Sequence, residues 1–176
     1  MPTIFSHPAV PLAMGFVLGK EIVSRRLLLA GVAASILPDL DVVAFSFDIP
    51  YEDDFGHRGF SHSFFFAALT ALVGACAHRW LRCSFGVAFS FLFLATASHG
   101  VLDTFTNGGL GIALFWPWSG ERYFARYQLI EVSPIGISHF LSWWGVRVIL
   151  SELRWVWLPC ALVAIGLRII LKRLGQ

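Results

Sequence analysis

The sequence predicts an all-α integral membrane protein: a bundle of about four to five hydrophobic helices with a polar metal site at one membrane face. Three observations carry that expectation. The chain is 57% hydrophobic and only 14% charged, with 17 Phe and 7 Trp, and its mean hydropathy of +0.71 exceeds what a soluble core needs. Apolar runs recur at roughly 9–19, 27–47, 60–78, 85–102 and 155–171. Between them lie short clusters of acids and histidines: FSHP around His7, PDLD at 38–41, GHRGFSHS at 56–63, SHGVLDT at 98–104 and SEL around Glu152. In so apolar a background an ionisable side chain pairs, binds an ion or does chemistry more often than it decorates a surface.

Taken in order, the first run opens at Pro8 and Pro11 without a basic region or an A-x-A site, so it reads as a mature helix and not a cleavable signal peptide. The second is interrupted by Pro38, which should push Leu37 out of helical geometry and end the helix. Ser61 suits the N-cap of the third run, and the fourth ends in His99 and Asp103. Several runs are at or below the ~20 residues of a spanning helix, so some should be tilted or only partly spanning. From 104 to 154, NGG at 107–109, FWPW at 115–118 and SPIG at 133–136 predict mostly loop with short helices, its tryptophans suited to a membrane interface. No repeat or linker divides the chain, and residues 1–176 form one domain. Cys76, Cys83 and Cys160 lack metal-type spacing and read as free thiols. A net charge of +2 gives no reason to expect nucleic acid.

Lys20, Arg25, Arg26, Arg79, Arg82, Arg168, Lys172 and Arg173 fall at alternate ends of the apolar runs. Placing them in the cytoplasm by the positive-inside rule gathers His7, Asp39, Asp41, His57, His62, His99 and Asp103 on the opposite, non-cytoplasmic face. Arg122, Arg126, Arg147 and Arg154 share that face and count against the assignment.

The clusters have chemistry in common. His99 and Asp103, four apart on a helix, project from one face and offer a neutral imidazole and a carboxylate to a cation; a His–Asp hydrogen bond capping a helix end has the same spacing. His57 in a loop and His62 in a first helical turn can converge, with Gly56 and Gly59 supplying backbone freedom. Arg58 between them can clamp an anion or anchor at the headgroups. Asp39 and Asp41, in an extended segment, would point the same way, and paired carboxylates beside apolar runs call for a cation; a helix-terminating turn is the alternative. Glu152 is either a late ligand or an ion-pair partner of Arg147 or Arg154. His78, His139 and the Glu52–Asp54 run keep no such company. Nothing resembles a phosphate loop or a serine or thiol nucleophile motif. His with Asp suits zinc, or manganese, better than calcium, and such an ion activates water.

At FSHPAV, PDLDVV, HRGFSHS, SHGVLDTFTNGGLGIALFWPWSGERYF, SPIG and SELRWVWLP the chain resembles the YdjM-like family of bacterial inner-membrane proteins, described as metal-dependent hydrolases. The order His, Asp, His, HxxxD, Glu is also similar to zinc phospholipase C and its nuclease relatives. The resemblance implies metal ligands among His7, Asp39 or Asp41, His57 or His62, His99 and Asp103, with Glu152 as the late glutamate. The chain lacks a histidine shortly after HxxxD, which favours one or two metals over three. It also implies a multi-pass protein of the bacterial inner membrane.

The expected function is therefore hydrolysis of a lipid or lipid-linked phosphoester at the membrane interface by a divalent metal. Asp41 (or Asp39) would act as general base and Arg58 as anion contact, with membrane lipid as partner. The alternative is a non-enzymatic membrane protein with a structural metal site, or a small ion or proton path. A scaffold whose polar clusters satisfy one another would bind no metal. Substrate and oligomeric state are not readable.

Overall fold

A computed structural model describes residues 2–133 and 140–175; Pro134–Gly136 of the SPIG run and His139 lie outside the described residues. The architecture is all-α, with α1 Ala9–Leu18, α2 Arg25–Ile36, α3 Phe64–Cys76, α4 His78–Leu81, α5 Phe85–Thr104, α6 Trp143–Glu152 and α7 Leu158–Arg173. A 3-10 helix, Leu37–Phe47, continues α2, and a π-helical turn, Leu153–Trp157, joins α6 to α7. Among the described residues, three continuous helices are long and apolar enough to cross a membrane: Arg25–Phe47, Phe85–Thr104 and Trp143–Arg173; Ala9–Leu18 and Phe64–Cys76 are shorter apolar helices. Only 11% of the apolar window of the last helix is buried in the protein, so most of that surface needs lipid.

Serines start these helices. Ser24, Ser63 and Ser84 accept from Leu27, Phe66 and Val87 amides, each satisfying a donor the helix cannot. The N-cap of α3 is Ser63 and not Ser61; His62 lies one step earlier, in a 3-10 turn over Phe60–His62. Helix α5 is the centre of the bundle and packs on α2 and α3, while α1 packs on the final helix. Small residues permit the close approach: Ala67, Ala71 and Ala75 on one stripe of α3, and Ala88 and Ala95 on α5, are fully buried, as is usual between helices in lipid. Leu27, Phe91 and Leu92 fill the space between them.

Two further expectations change. Leu37 keeps helical backbone angles, and Pro38 sits at the start of the 3-10 helix, where a missing N–H costs nothing; the chain tightens there instead of breaking. The last helix begins at Trp143, well before 155, because Ser142 caps it and the π turn carries it past Glu152. Among the described residues of 105–133 there is no helix. That stretch is held by bridges between Thr106 and Ile130 and between Ile112 and Tyr123.

The bundle has two chemically distinct ends. At one, Arg26 donates to the Trp80 carbonyl and lies over its ring, Arg168 donates to the Val17 carbonyl, and His78 meets the Cys83 carbonyl. The acids and histidines predicted as ligands are at the other end. The three cysteines are free.

Candidate metal centre

The carboxyl end of α2 with its 3-10 extension, the turn before α3, the carboxyl end of α5 and the segment before α1 meet at one point. Helix α5 contributes His99 and Asp103, both fully buried. Pro38 lacks the N–H that would reach the Ser35 carbonyl in a 3-10 register, and that carbonyl accepts from His99 Nδ1 at 2.7 Å. A carbonyl only accepts, so Nδ1 carries the proton and Nε2 turns its lone pair inward. The residue after His99 must be small, because a Cβ on Gly100 would lie 2.3 Å from the His62 carbonyl oxygen. Its absence lets the 60–62 turn rest on α5, with His62 Nε2 3.1 Å from His99 Nε2.

Asp39, His62, His99 and Asp103 each bring one ligand atom within 4.8 Å of the others. His99 Nε2 is 3.3 Å from Asp39 Oδ1, and His62 Nε2 is 3.4 Å from Asp103 Oδ2 and 3.9 Å from Asp39 Oδ1. His7 stacks on His99, ring centroids 3.6 Å apart, and points Nε2 at Asp39 and Asp103 from 3.6 and 3.7 Å. Ligands ~2.0–2.2 Å from a zinc ion stand roughly 3.3–3.6 Å apart around a tetrahedron, so these spacings suit a shared cation. The hydrogen bonding agrees. His7 Nδ1 and Nε2, both oxygens of Asp39, both oxygens of Asp103 and Nε of Arg58 are buried without a hydrogen-bond partner, a costly arrangement unless something charged sits among them. Burial, then neighbouring His99, brings His7 down to about 3, which leaves it a neutral donor. Burial opposes charge on His62 too, but the Asp103 and Asp41 carboxylates prevail and push it up to about 9, so a proton occupies the cation's place beside it.

A second group, Asp41, His57 and His62, lies on the other side of the His62 ring. Asp39 and Asp41 diverge because the segment is helical and not extended: at three residues per turn, positions two apart differ by about 120°. Asp41 Oδ1 meets His57 Nδ1 at 2.5 Å. Its Oδ2 accepts from Ser61 Oγ at 2.6 Å and from the Arg58 amide at 3.1 Å, and lies 3.1 Å from His62 Nδ1. His57 and His62 are therefore brought together edge to face but serve different groups. The strained residue of that loop is Arg58, at φ 64°, not either glycine. Gly59 is needed for closeness: a Cβ there would stand 2.1 Å from the Asp54 carbonyl oxygen.

Arg58 is fully buried. Its Nη1 donates to the carbonyls of Gly108 and Leu110 at 2.8 and 3.0 Å and its Nη2 to Thr106 Oγ1 at 3.2 Å, while Nε faces Asp103 Oδ2 at 3.7 Å. Burial holds its pKa below the usual guanidinium value, and Asp103 offsets that only in part. Glu152 stands apart from both groups. It accepts from the Thr3 amide, and from Thr3 Oγ1 and Ser6 Oγ at 2.7 Å each, while Arg154 lies over Trp155; Glu152 thus anchors the segment that carries His7. Sequence reasoning missed Thr3, Ser6, Ser35 and Thr106, and gave Ser61 the task of an N-cap where it serves Asp41. Only their nearness to the motifs hinted at them, since a hydrogen bond to a distant carboxylate or imidazole has no periodic signature. Glu52, Asp53 and Asp54 are exposed, as expected.

Fold and site together define a helical membrane protein with a buried histidine–aspartate cluster at one end of its bundle. The YdjM inner membrane protein family matches residues 1–175. Inner membrane protein YbcI of Escherichia coli (strain K12) is 45% identical over 160 residues, covering 90% of this chain and 92% of that protein. The chain belongs to the YdjM family of inner membrane proteins. No solved structure matches it.

Proposed function

We propose that this protein is a divalent-metal hydrolase of the inner membrane that acts on a lipid or lipid-linked phosphoester, with its site on the non-cytoplasmic face. The observation that carries the reading is a group of four ligand atoms within 4.8 Å of one another, at and beside which seven buried polar atoms have no hydrogen-bond partner. Asp39, His62, His99 and Asp103 would hold the ion, with His7 completing the set; zinc is favoured, then manganese. The ion would supply a water of lowered pKa and charge stabilisation at the phosphoryl group. Ser61 Oγ at 3.0 Å and Asp41 Oδ2 at 3.1 Å face His62 Nδ1 and fix its tautomer as acceptors of the Nδ1–H, as carboxylates do behind metal-ligating histidines, and Asp41 so acts as a positioning residue. Its two oxygens are engaged, so Asp39, whose oxygens are not, is the better general base. Arg58 balances Asp103 and secures the 106–110 loop, leaving little of its guanidinium for substrate. Glu152 holds His7 in place.

A second reading has a specific observation behind it. His7, Asp39, His62, His99 and Asp103 are all at most 7% exposed, and a closed set of protein ligands marks a structural metal site. The two readings part on turnover. Zinc-loaded protein in mild detergent should release phosphate or a phospho-headgroup from a panel of phospholipids and lipid-linked phosphates, and Asp39→Asn should abolish release. Stoichiometric metal with no turnover on any member of the panel would favour the structural reading.

A further inference from the structure

Away from the metal centre, two grooves run side by side towards the basic end of the bundle. The larger, about 500 Å³, is formed by α1, α5 and the final helix; Val10, Met14, Leu18, Leu94, Cys160 and Leu167 are among its lining, and no charged side chain is. The smaller, about 280 Å³, lies between α1 and α5 and reaches Ile22, Gly86 and Ser90. Met14, Leu18 and Leu94 belong to both. Leu94 is 50% and Val163, in the larger groove, 62% exposed, so the pair opens sideways to lipid. An unfilled groove there forfeits dispersion contacts along its whole wall. The lining stretches 10–18 and 159–167 each rise about 12 Å, close to the ~15 Å of hydrocarbon in one leaflet. A helix, ~10–12 Å across, would need roughly twice the larger volume over that length. Two acyl chains joined at one end suit two grooves that share a side.

Charge selects the headgroup. Arg168 follows Leu167 at the basic end of the larger groove. Its Nη1 donates to the Val17 carbonyl at 2.8 Å, while Nε and Nη2 have no hydrogen-bond partner among the described residues. Lys172, four residues on, shares its face of the helix. Lys20, two residues past Leu18, is 92% exposed and has only a loose pair with Glu21 at 3.9 Å, of little worth in water. Segments 19–26, 78–84 and 168–173 carry eight lysines and arginines against one acid, Glu21, and such a cluster attracts anionic headgroups.

We infer that the paired grooves bind an anionic two-chain phospholipid, one chain in each, with its phosphate at Arg168, Lys20 and Lys172. The site is at the opposite end of the bundle from the metal ligands and does not rest on the hydrolase reading. It is tested on the full-length protein by native mass spectrometry from micelles holding equal phosphatidylglycerol and phosphatidylcholine with the same chains. Phosphatidylglycerol with a diazirine at one chain end then maps the position by photolysis. One phosphatidylglycerol should be retained in preference to phosphatidylcholine, with labels concentrated on 10–14, 90–94 and 159–163. Lys20→Gln and Lys172→Gln, both exposed and harmless to packing, should each lower phosphatidylglycerol retention about fivefold and leave phosphatidylcholine unchanged. Val163→Trp, at an exposed lining position, should cut retention of both severalfold. Equal retention of the two lipids by wild type would overturn the inference, as would labels spread evenly over α3 and the rest of the bundle. A lipid-free dimer dissociated by Val163→Trp would overturn it too, giving the face to a second copy of the chain.

Discussion

His62 stands between two polar groups of similar composition whose hydrogen bonding is opposite. On its Nδ1 side, Asp41 takes up His57, Ser61, the Arg58 amide and His62 itself. On its Nε2 side, His7, Asp39 and Asp103 hold six side-chain atoms without a partner, and Arg58 Nε makes a seventh. Both groups are buried and both are rich in imidazole and carboxylate, so burial and composition cannot account for the difference. A saturated group is stable as it stands; an unsaturated one is stable only with a missing charge in place. On the proposed reading the cation belongs on the Nε2 side and the Nδ1 side supports it.

The sharpest way to break that assignment is to alter one ligand on each side. His99→Ala removes an inward lone pair and should lower metal affinity more than ~100-fold, beyond the 10–100-fold typical of supporting residues, as read by competition with a chromophoric chelator. Asp39→Asn should also abolish binding, yet leave the metal-free protein as stable as wild type or more so, because it removes one of two carboxylates buried together. A metal-free Asp39→Asn protein much less stable than wild type would mean that Asp39 serves the fold.

Chelation comes next in size. At a metal concentration of ~1,000 times Kd, binding adds about 4 kcal/mol to stability, so wild-type protein should lose several degrees of Tm in excess chelator and recover them on zinc addition. His99→Ala should show no such response. On the other side of the ring, Asp41→Asn should weaken metal binding by about 10–100-fold without abolishing it. The smallest effect belongs to the anchor: Glu152→Gln loses charge-assisted bonds worth roughly 1.5–3 kcal/mol. It should lower Tm and loosen His7 while the other four ligands still take up metal, which elemental analysis at saturating zinc would check.

Much of this was legible in the chain. The five apolar runs correspond to five apolar helices among the described residues, and HxxxD at 99–103 placed His99 and Asp103 together because helix periodicity alone decides it. Lysines and arginines at alternate ends of the apolar runs agree with the two ends of the bundle, although Arg122, bonded to the His57 carbonyl, does not follow them. The geometry of PDLD was less readable. Proline suggests a break, but at the first position of a tighter helix its missing N–H is harmless, and the resulting 3-10 turn sends Asp39 and Asp41 to different sides of His62. The division of labour between His57 and His62 follows from that turn, so spacing could not supply it. Nor could composition show that Glu152 answers to Thr3 and Ser6, partners almost a full chain length away.

The most direct test is elemental mass spectrometry of the protein purified in mild detergent without chelator, comparing wild type with Asp39→Ala and Asp41→Asn at saturating zinc. The expected result is stoichiometric metal in wild type, none in Asp39→Ala and recovery to near wild-type content in Asp41→Asn. A well-folded wild-type protein that takes up no metal, or an Asp41→Asn loss as complete as that of Asp39→Ala, would contradict the division between a cation-holding side and a supporting side of His62.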